Sequence, residues 1–171
     1  MPTARERAPL FLDYIQAAMD RFGISESKLR VAHFLAQVAH ESGELRYMRE
    51  IWGPTSAQLG YEGRADLGNT EPGDGMKFKG RGLIQVTGRA NYLRCSMALY
   101  GDAQTLAETP ELLETKEAAC LSAGWFWGEF KHLNPLADAD DLEHITRRIN
   151  GGLNGLVYRT AYLARAKEAL G

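Results

Sequence analysis

The sequence predicts a mainly helical, single-domain protein with one small strand and loop region. Three observations carry this expectation: apolar residues recur at intervals of three and four through most of the chain, the one stretch without that period is crowded with glycine, and only a short β-branched run interrupts the helices. With 171 residues the chain has the length of one domain, enough to bury about two-thirds of its unfolded surface. A hydrophobic content of 44% beside 25% charged residues is that of an ordinary globular protein and argues against a disordered chain or stable membrane association. Twenty basic residues against 22 acidic ones leave a formal charge of -2, too balanced to neutralise several phosphates, so nucleic acid is not an expected partner.

Ala8 to Phe22 reads as the first helix, with Leu10, Phe11, Tyr14, Ile15, Ala18 and Phe22 on one face and Gly23 just past its end. Asp13, Gln16 and Asp20 break the apolar run, so the start of the chain lacks the continuous apolar stretch of a cleavable export signal. Ser25 suits an N-cap. Ser27 to Ser42 reads as the second helix, carrying Leu29, Ala32, His33, Ala36 and Ala39 and ended by Gly43, which sets Glu41 in the last turn. Between Gly53 and Gly82 the period fails among recurring glycines, as in a functional loop region. Arg81 to Thr87 is a short apolar run closed by Gly88 and is expected to be a brief strand. Helices follow at about Ala90 to Leu99, Pro110 to Leu113, Thr115 to Phe130, Asp141 to Ile149 and Val157 to Leu170, with Pro110 at a first helical position after Thr109. Trp125, Phe126, Trp127 and Phe130 are read as core, and His33 and His40 as packing residues on one helix face. Cys95 and Cys120 sit among helix-forming residues and are expected as buried free thiols of a reducing compartment. No repeat or linker divides the chain, so residues 1–171 are taken as one domain.

Several chemistries fail on spacing. His40-Glu41 would need a second histidine at position 44 for a zinc protease helix, and Glu44 stands there. Gly75 to Gly82 has the glycine pair of a phosphate loop, but Arg81 and Gly82 occupy the positions of its Lys and Ser or Thr. Asp138, Asp140 and Asp141 lack the turn glycine and terminal glutamate of a calcium loop. No metal or cofactor is expected. What remains is HESGELRYMRE, with Glu41 at the end of an apolar helix and Glu50 beyond the helix-ending Gly43. Hydrolysis of a glycosidic bond needs one carboxylic acid to protonate the leaving oxygen and one carboxylate to activate water or attack the anomeric carbon. Glu41 is the candidate acid, because a helix C-terminus and partial burial beside Ala39 and His40 both favour the protonated carboxyl. Glu50 is then the base. On spacing alone, two solvated surface glutamates with Arg46 and Arg49 as ion-pair neighbours are the better reading.

Four segments in order, AHESGEL at 39–45, MRE at 48–50, GDGMKFKGRGLIQVTGRANY at 73–92 and RRINGGLNG at 147–155, give a specific match: the chain resembles glycoside hydrolase family 19, the chitinase family that also contains many phage endolysins. The resemblance implies a lysozyme-like α+β fold with its small strand and loop region beside a cleft. It implies an inverting mechanism with Glu41 as acid, Glu50 as base and Thr87 as the hydroxyl that holds the attacking water, since a hydroxyl both donates and accepts. It also implies Gln85, Asn91 and Asn150 as substrate-binding amides and Arg159 as a further substrate-binding residue. From the residues alone, Asn-Gly-Gly at 150–152 is also an ordinary helix-ending turn. Compared with plant chitinases, the insertion between the two glutamates and the disulfide cysteines are missing. Met76 stands where many compact members carry an aromatic ring, and Ala90 where plant members carry a tyrosine.

The shorter, more open groove implied by this branch favours bacterial peptidoglycan over chitin. A phage or prophage endolysin is expected, a monomer made in the host bacterial cytoplasm and released to the wall by a holin. Chitinase activity is the alternative. A lytic transglycosylase needs only one glutamate, against which Glu50 and Thr87 stand, and a non-catalytic glycan-binding phage module would not need the intact trio.

Overall fold

Helix α1 (Ala8–Arg21) buries Phe11, Ile15, Ala18 and Met19, spaced to form one stripe, in a computed structural model that describes residues 3–171. The buried stripe is narrower than the apolar face of the sequence, because Leu10, Leu12 and Tyr14 remain exposed. Helix α2 (Lys28–Glu41) starts from Ser27 in extended backbone, not from Ser25, and buries residues through most of its length. The glycine-rich region contains two one-turn helices, α3 (Ser56–Leu59) and α4 (Asp74–Lys77), with a 3-10 turn at Ala65–Leu67 between them. After it come α5 (Arg89–Tyr100), α6 (Thr105–Glu108), a 3-10 segment at Pro110–Glu114, α7 (Lys116–Trp125), α8 (Asn134–Asp138), α9 (Leu142–Asn150) and α10 (Leu156–Leu170).

Two helix pairs organise the packing. α1 lies along α7, and α2 lies along α10. Trp127 is wholly buried, its ring edge-on to Phe34 of α2 at 5.5 Å, and its indole N–H donates to Asn134 Oδ1 at 2.7 Å. The long helix expected over 115–130 stops being α-helical at Trp125 and continues as a π turn over Phe126–Phe130, where Lys131 N–H donates to Phe126 O. The aromatic cluster is nonetheless core: Trp125, Phe126 and Trp127 are buried, and Trp125 stacks on Phe130 at 5.0 Å. Cys95 and Cys120 are both free and buried; burial raises both thiols, that of Cys120 to about 12.

The expected strand at Arg81–Thr87 does not form. Arg81 and Val86 exchange both backbone hydrogen bonds across a four-residue turn, and Arg81 also bridges Arg49. The segment is therefore a tight hairpin end, and its apolar character reflects burial of Leu83, Ile84 and Val86 rather than an extended ladder. Among the described residues, no helix is long and apolar enough to cross a membrane.

Candidate functional site

Glu41 is the last residue of α2, and its side chain is 22% exposed. Its Oε1 accepts from Arg159 Nη2 at 2.6 Å. Arg159, near the start of α10, is 1% exposed and spends the rest of its fork on Gln37 Oε1 and, through Nε at 3.1 Å, on Asn154 O. The structure places the Arg159 guanidinium, buried and with its donors on protein acceptors, where it holds Glu41. Its fork supplies several donors in one plane, which suits three acceptors, two a turn apart on α2 and one in the loop before α10. The bond to Oε1 leaves Oε2 of Glu41 as the oxygen without a protein donor among the described residues.

The chain between the two glutamates is a turn with three consecutive left-handed residues, Gly43, Glu44 and Leu45, at φ 57°, 60° and 66°. Two of the three carry side chains, and each such residue costs about 1–2 kcal/mol of backbone strain. Hydrogen bonds offset it: Ser42 Oγ accepts from Leu45 N–H at 2.8 Å, and Glu44 N–H donates to Ala39 O at 2.7 Å. Glu44 itself is buried and accepts from the Thr3 amide and hydroxyl, each at 2.5 Å, and from the Tyr162 hydroxyl at 2.8 Å. Burial alone would raise Glu44, but these donors outweigh it and hold the group below the usual carboxylate range.

Glu50 lies beyond that turn on a short antiparallel contact, where its own N–H donates to Gly80 O at 2.9 Å and Gly82 N–H donates to Met48 O at 2.8 Å. The carboxylate is held at both oxygens: Gly80 N–H donates to Oε1 at 2.6 Å and Gln58 Nε2 to Oε2 at 3.1 Å. Burial and then the Glu50 charge raise the Tyr61 phenol above its ordinary value. The Gly80 backbone is fixed from behind by Arg81, which is 3% exposed and donates to Glu114 at 2.8 Å, Lys77 O at 2.8 Å and the Tyr92 hydroxyl at 3.0 Å.

Gln85 lies against Gly80, so near that a Cβ on Gly80 would sit 2.5 Å from Gln85 Oε1. Gln85 and Thr87 are both half-buried, with buried Val86 between them. The Thr87 hydroxyl has no protein partner among the described residues, while Thr87 O accepts from Asn91 Nδ2 at 2.8 Å. Asn150 uses its amide on its own loop, accepting from Gly152 N–H at 2.8 Å and donating to Asn154 O at 3.1 Å, so the helix-ending reading of Asn-Gly-Gly holds. Glu50 and Gln85 both meet Gly80, Asn91 holds the Thr87 carbonyl, and Arg159 links Glu41 to the Asn154 carbonyl, which Asn150 also meets. His40 lies against Gly155 and stacks on Tyr158 at 6.3 Å; burial, then Arg159, push it below the ordinary imidazole value. Sequence reading missed Gln58, Gln37 and Asn154. Only Gln58 left a signal, as the fourth residue of the Thr55–Gln58 capping box.

No family model matches the chain. A Haemophilus influenzae protein described as a glycosyl hydrolase family 19 domain-containing protein is 32% identical over 170 residues, covering 83% of this chain and 80% of that one. The Arabidopsis thaliana endochitinase CHI is 36% identical over 106 residues, covering 62% of this chain and 38% of its own length. A solved bacterial family 19 chitinase is 25% identical, with a TM-score of 0.72 over 93% of this chain and 85% of that one.

Proposed function

This chain belongs to glycoside hydrolase family 19, and from that premise we propose that it cleaves the β-1,4 bonds of bacterial peptidoglycan by inversion, with Glu41 as general acid and Glu50 as general base. The observation that carries the assignment is the unlike support of the two carboxylates. Glu41 has a guanidinium on one oxygen and the other oxygen free, whereas Glu50 has a neutral N–H on each oxygen. The free Oε2 of Glu41 is the oxygen to carry a proton to the leaving group, and Arg159 stabilises the anion left behind. Glu50 keeps a lone pair on each oxygen for a water, and the unpartnered Thr87 hydroxyl is suited to hold that water. The amides of Gln85, which shares Gly80 with that carboxylate, and of Asn91 suit N-acetyl groups and hydroxyls of the sugar.

Peptidoglycan is favoured by charge. Lys79 precedes Gly80, and its ammonium lies 5.8 Å from the ring of Trp52, two residues beyond Glu50. This cation has a partner in the carboxylates of peptide-bearing glycan and none in uncharged chitin. Exposed Met76 offers a flexible side chain that adapts to a substituted sugar. The two free thiols fit synthesis in a reducing bacterial cytoplasm, with release to the wall as an endolysin. The second reading, chitin, is favoured by the endochitinase descriptions of the Arabidopsis relatives.

The test is mass spectrometry of soluble products from purified peptidoglycan and from chitin oligomers, for wild type, Glu41→Gln and Glu50→Gln. Muropeptides with ordinary reducing ends from wild type alone are expected, with each variant slowed by at least about 100-fold. Chitin cleavage without muropeptides moves the substrate to chitin. Anhydro products that survive in Glu50→Gln remove Glu50 as base, and intact polymers throughout sink the hydrolase reading.

A further inference from the structure

Gln58 is 6% exposed and uses its amide completely. Its oxygen accepts from Gly53 N–H at 3.1 Å and Thr55 N–H at 2.8 Å, and its nitrogen donates to Ile51 O at 2.8 Å and Glu50 Oε2 at 3.1 Å. Two backbone donors on one side and two acceptors on the other leave only one orientation of the amide. A capping box at α3 requires only the oxygen side, and glutamate fills that position as well as glutamine. A glutamate at 58 would set an oxygen against Glu50 and Ile51 O, so the nitrogen answers a second requirement that capping does not impose.

We propose that Gln58 is a positioning residue for Glu50, an inference that rests on the reading of Glu50 as general base. A carboxylate on a flexible side chain rotates about its last torsion unless both oxygens are held. Gly80 N–H restrains one and Gln58 the other, from separate segments of chain, and α3 with its Thr55 cap supplies the frame that holds the Gln58 amide. The lone pair facing the water is thereby aimed before substrate arrives, which is where a small misplacement costs most. The one-turn helix in the glycine-rich region thus forms part of the mounting of the base.

Gln58→Glu keeps an oxygen for the cap and loses the donor to Glu50, and Gln58→Met loses both without adding charge. Each is measured alone and combined with Glu50→Gln, on whichever polymer wild type cleaves. The expected result is a fall in kcat of about 10–100-fold for both single variants, with KM within about twofold of wild type. In the Glu50→Gln background neither change alters the residual rate by more than about twofold, because the base they aim is gone. Wild-type kcat in both single variants overturns the inference, as does a loss that persists undiminished in the Glu50→Gln background, the mark of general structural damage. Wild-type turnover in Glu50→Gln alone is a separate outcome: it removes the base assignment first, and the inference with it.

Discussion

A single methyl group at position 155 tests how closely the surroundings of Glu41 are packed. Gly155 has φ 73°, and a Cβ there would fall 2.1 Å from Cε1 of His40, the residue next to Glu41. Gly155→Ala is expected to lower stability by at least about 1–2 kcal/mol from the left-handed backbone alone. Because the His40 ring must move, kcat should fall as well; chemical denaturation read beside turnover checks both, and a variant with wild-type kcat removes His40 packing as a support of the site. The two candidate carboxylates were legible in the sequence through the family resemblance of the segments at 39–45, 48–50 and 73–92, not through their spacing. Arg159 as the partner of Glu41 was not, because the pair is 118 positions apart and a motif reports residue type without saying which side chain is inside.

At the scale of elements, the regular helices were readable because a buried stripe leaves a period in the sequence, whereas α3 and α4 are single turns, too short to leave one. The segment 81–87 misled for a related reason: β-branched residues buried in a hairpin end look like a strand. The turn over 42–47 matters more than its length suggests, since it carries one carboxylate at each end and is tied to α10 and to Thr3 through Glu44. Glu44→Gln keeps the shape but replaces a charged acceptor of three hydrogen bonds with a weaker one. The expected cost is about 1–3 kcal/mol, with a lower kcat from the shifted turn. A melting temperature and turnover both unchanged would show that Ser42 and the backbone hold the turn unaided.

For the whole molecule, acidity should act on stability before it acts on fold content. Glu44 and Asp74 are buried and both lie below their usual range, Asp74 because Arg89 at 2.5 Å and nearby amides outweigh its burial. Carboxylates lowered in the folded state contribute stability that is present above their unfolded values, about 4.3 and 3.9, and lost as pH falls through the lower folded ones. Burial lowers His33 against the pull of Asp140, so the unfolded chain takes up that proton first and stability declines as pH drops below about 6.5. Calorimetry between about pH 8 and pH 3 should record a gentle decline followed by a steep one, with the steep limb flattened in Glu44→Gln; an unchanged limb removes Glu44 as a source. The pairing of α2 with α10 also bears on time. Glu41 sits in the first quarter of the chain and its guanidinium arrives on the last helix, so a polypeptide still emerging from the ribosome carries both carboxylates while the partner of one of them has yet to be made. Closure of the Glu41–Arg159 pair is among the longest-range events in folding, and Glu41 lacks that partner until the helix docks.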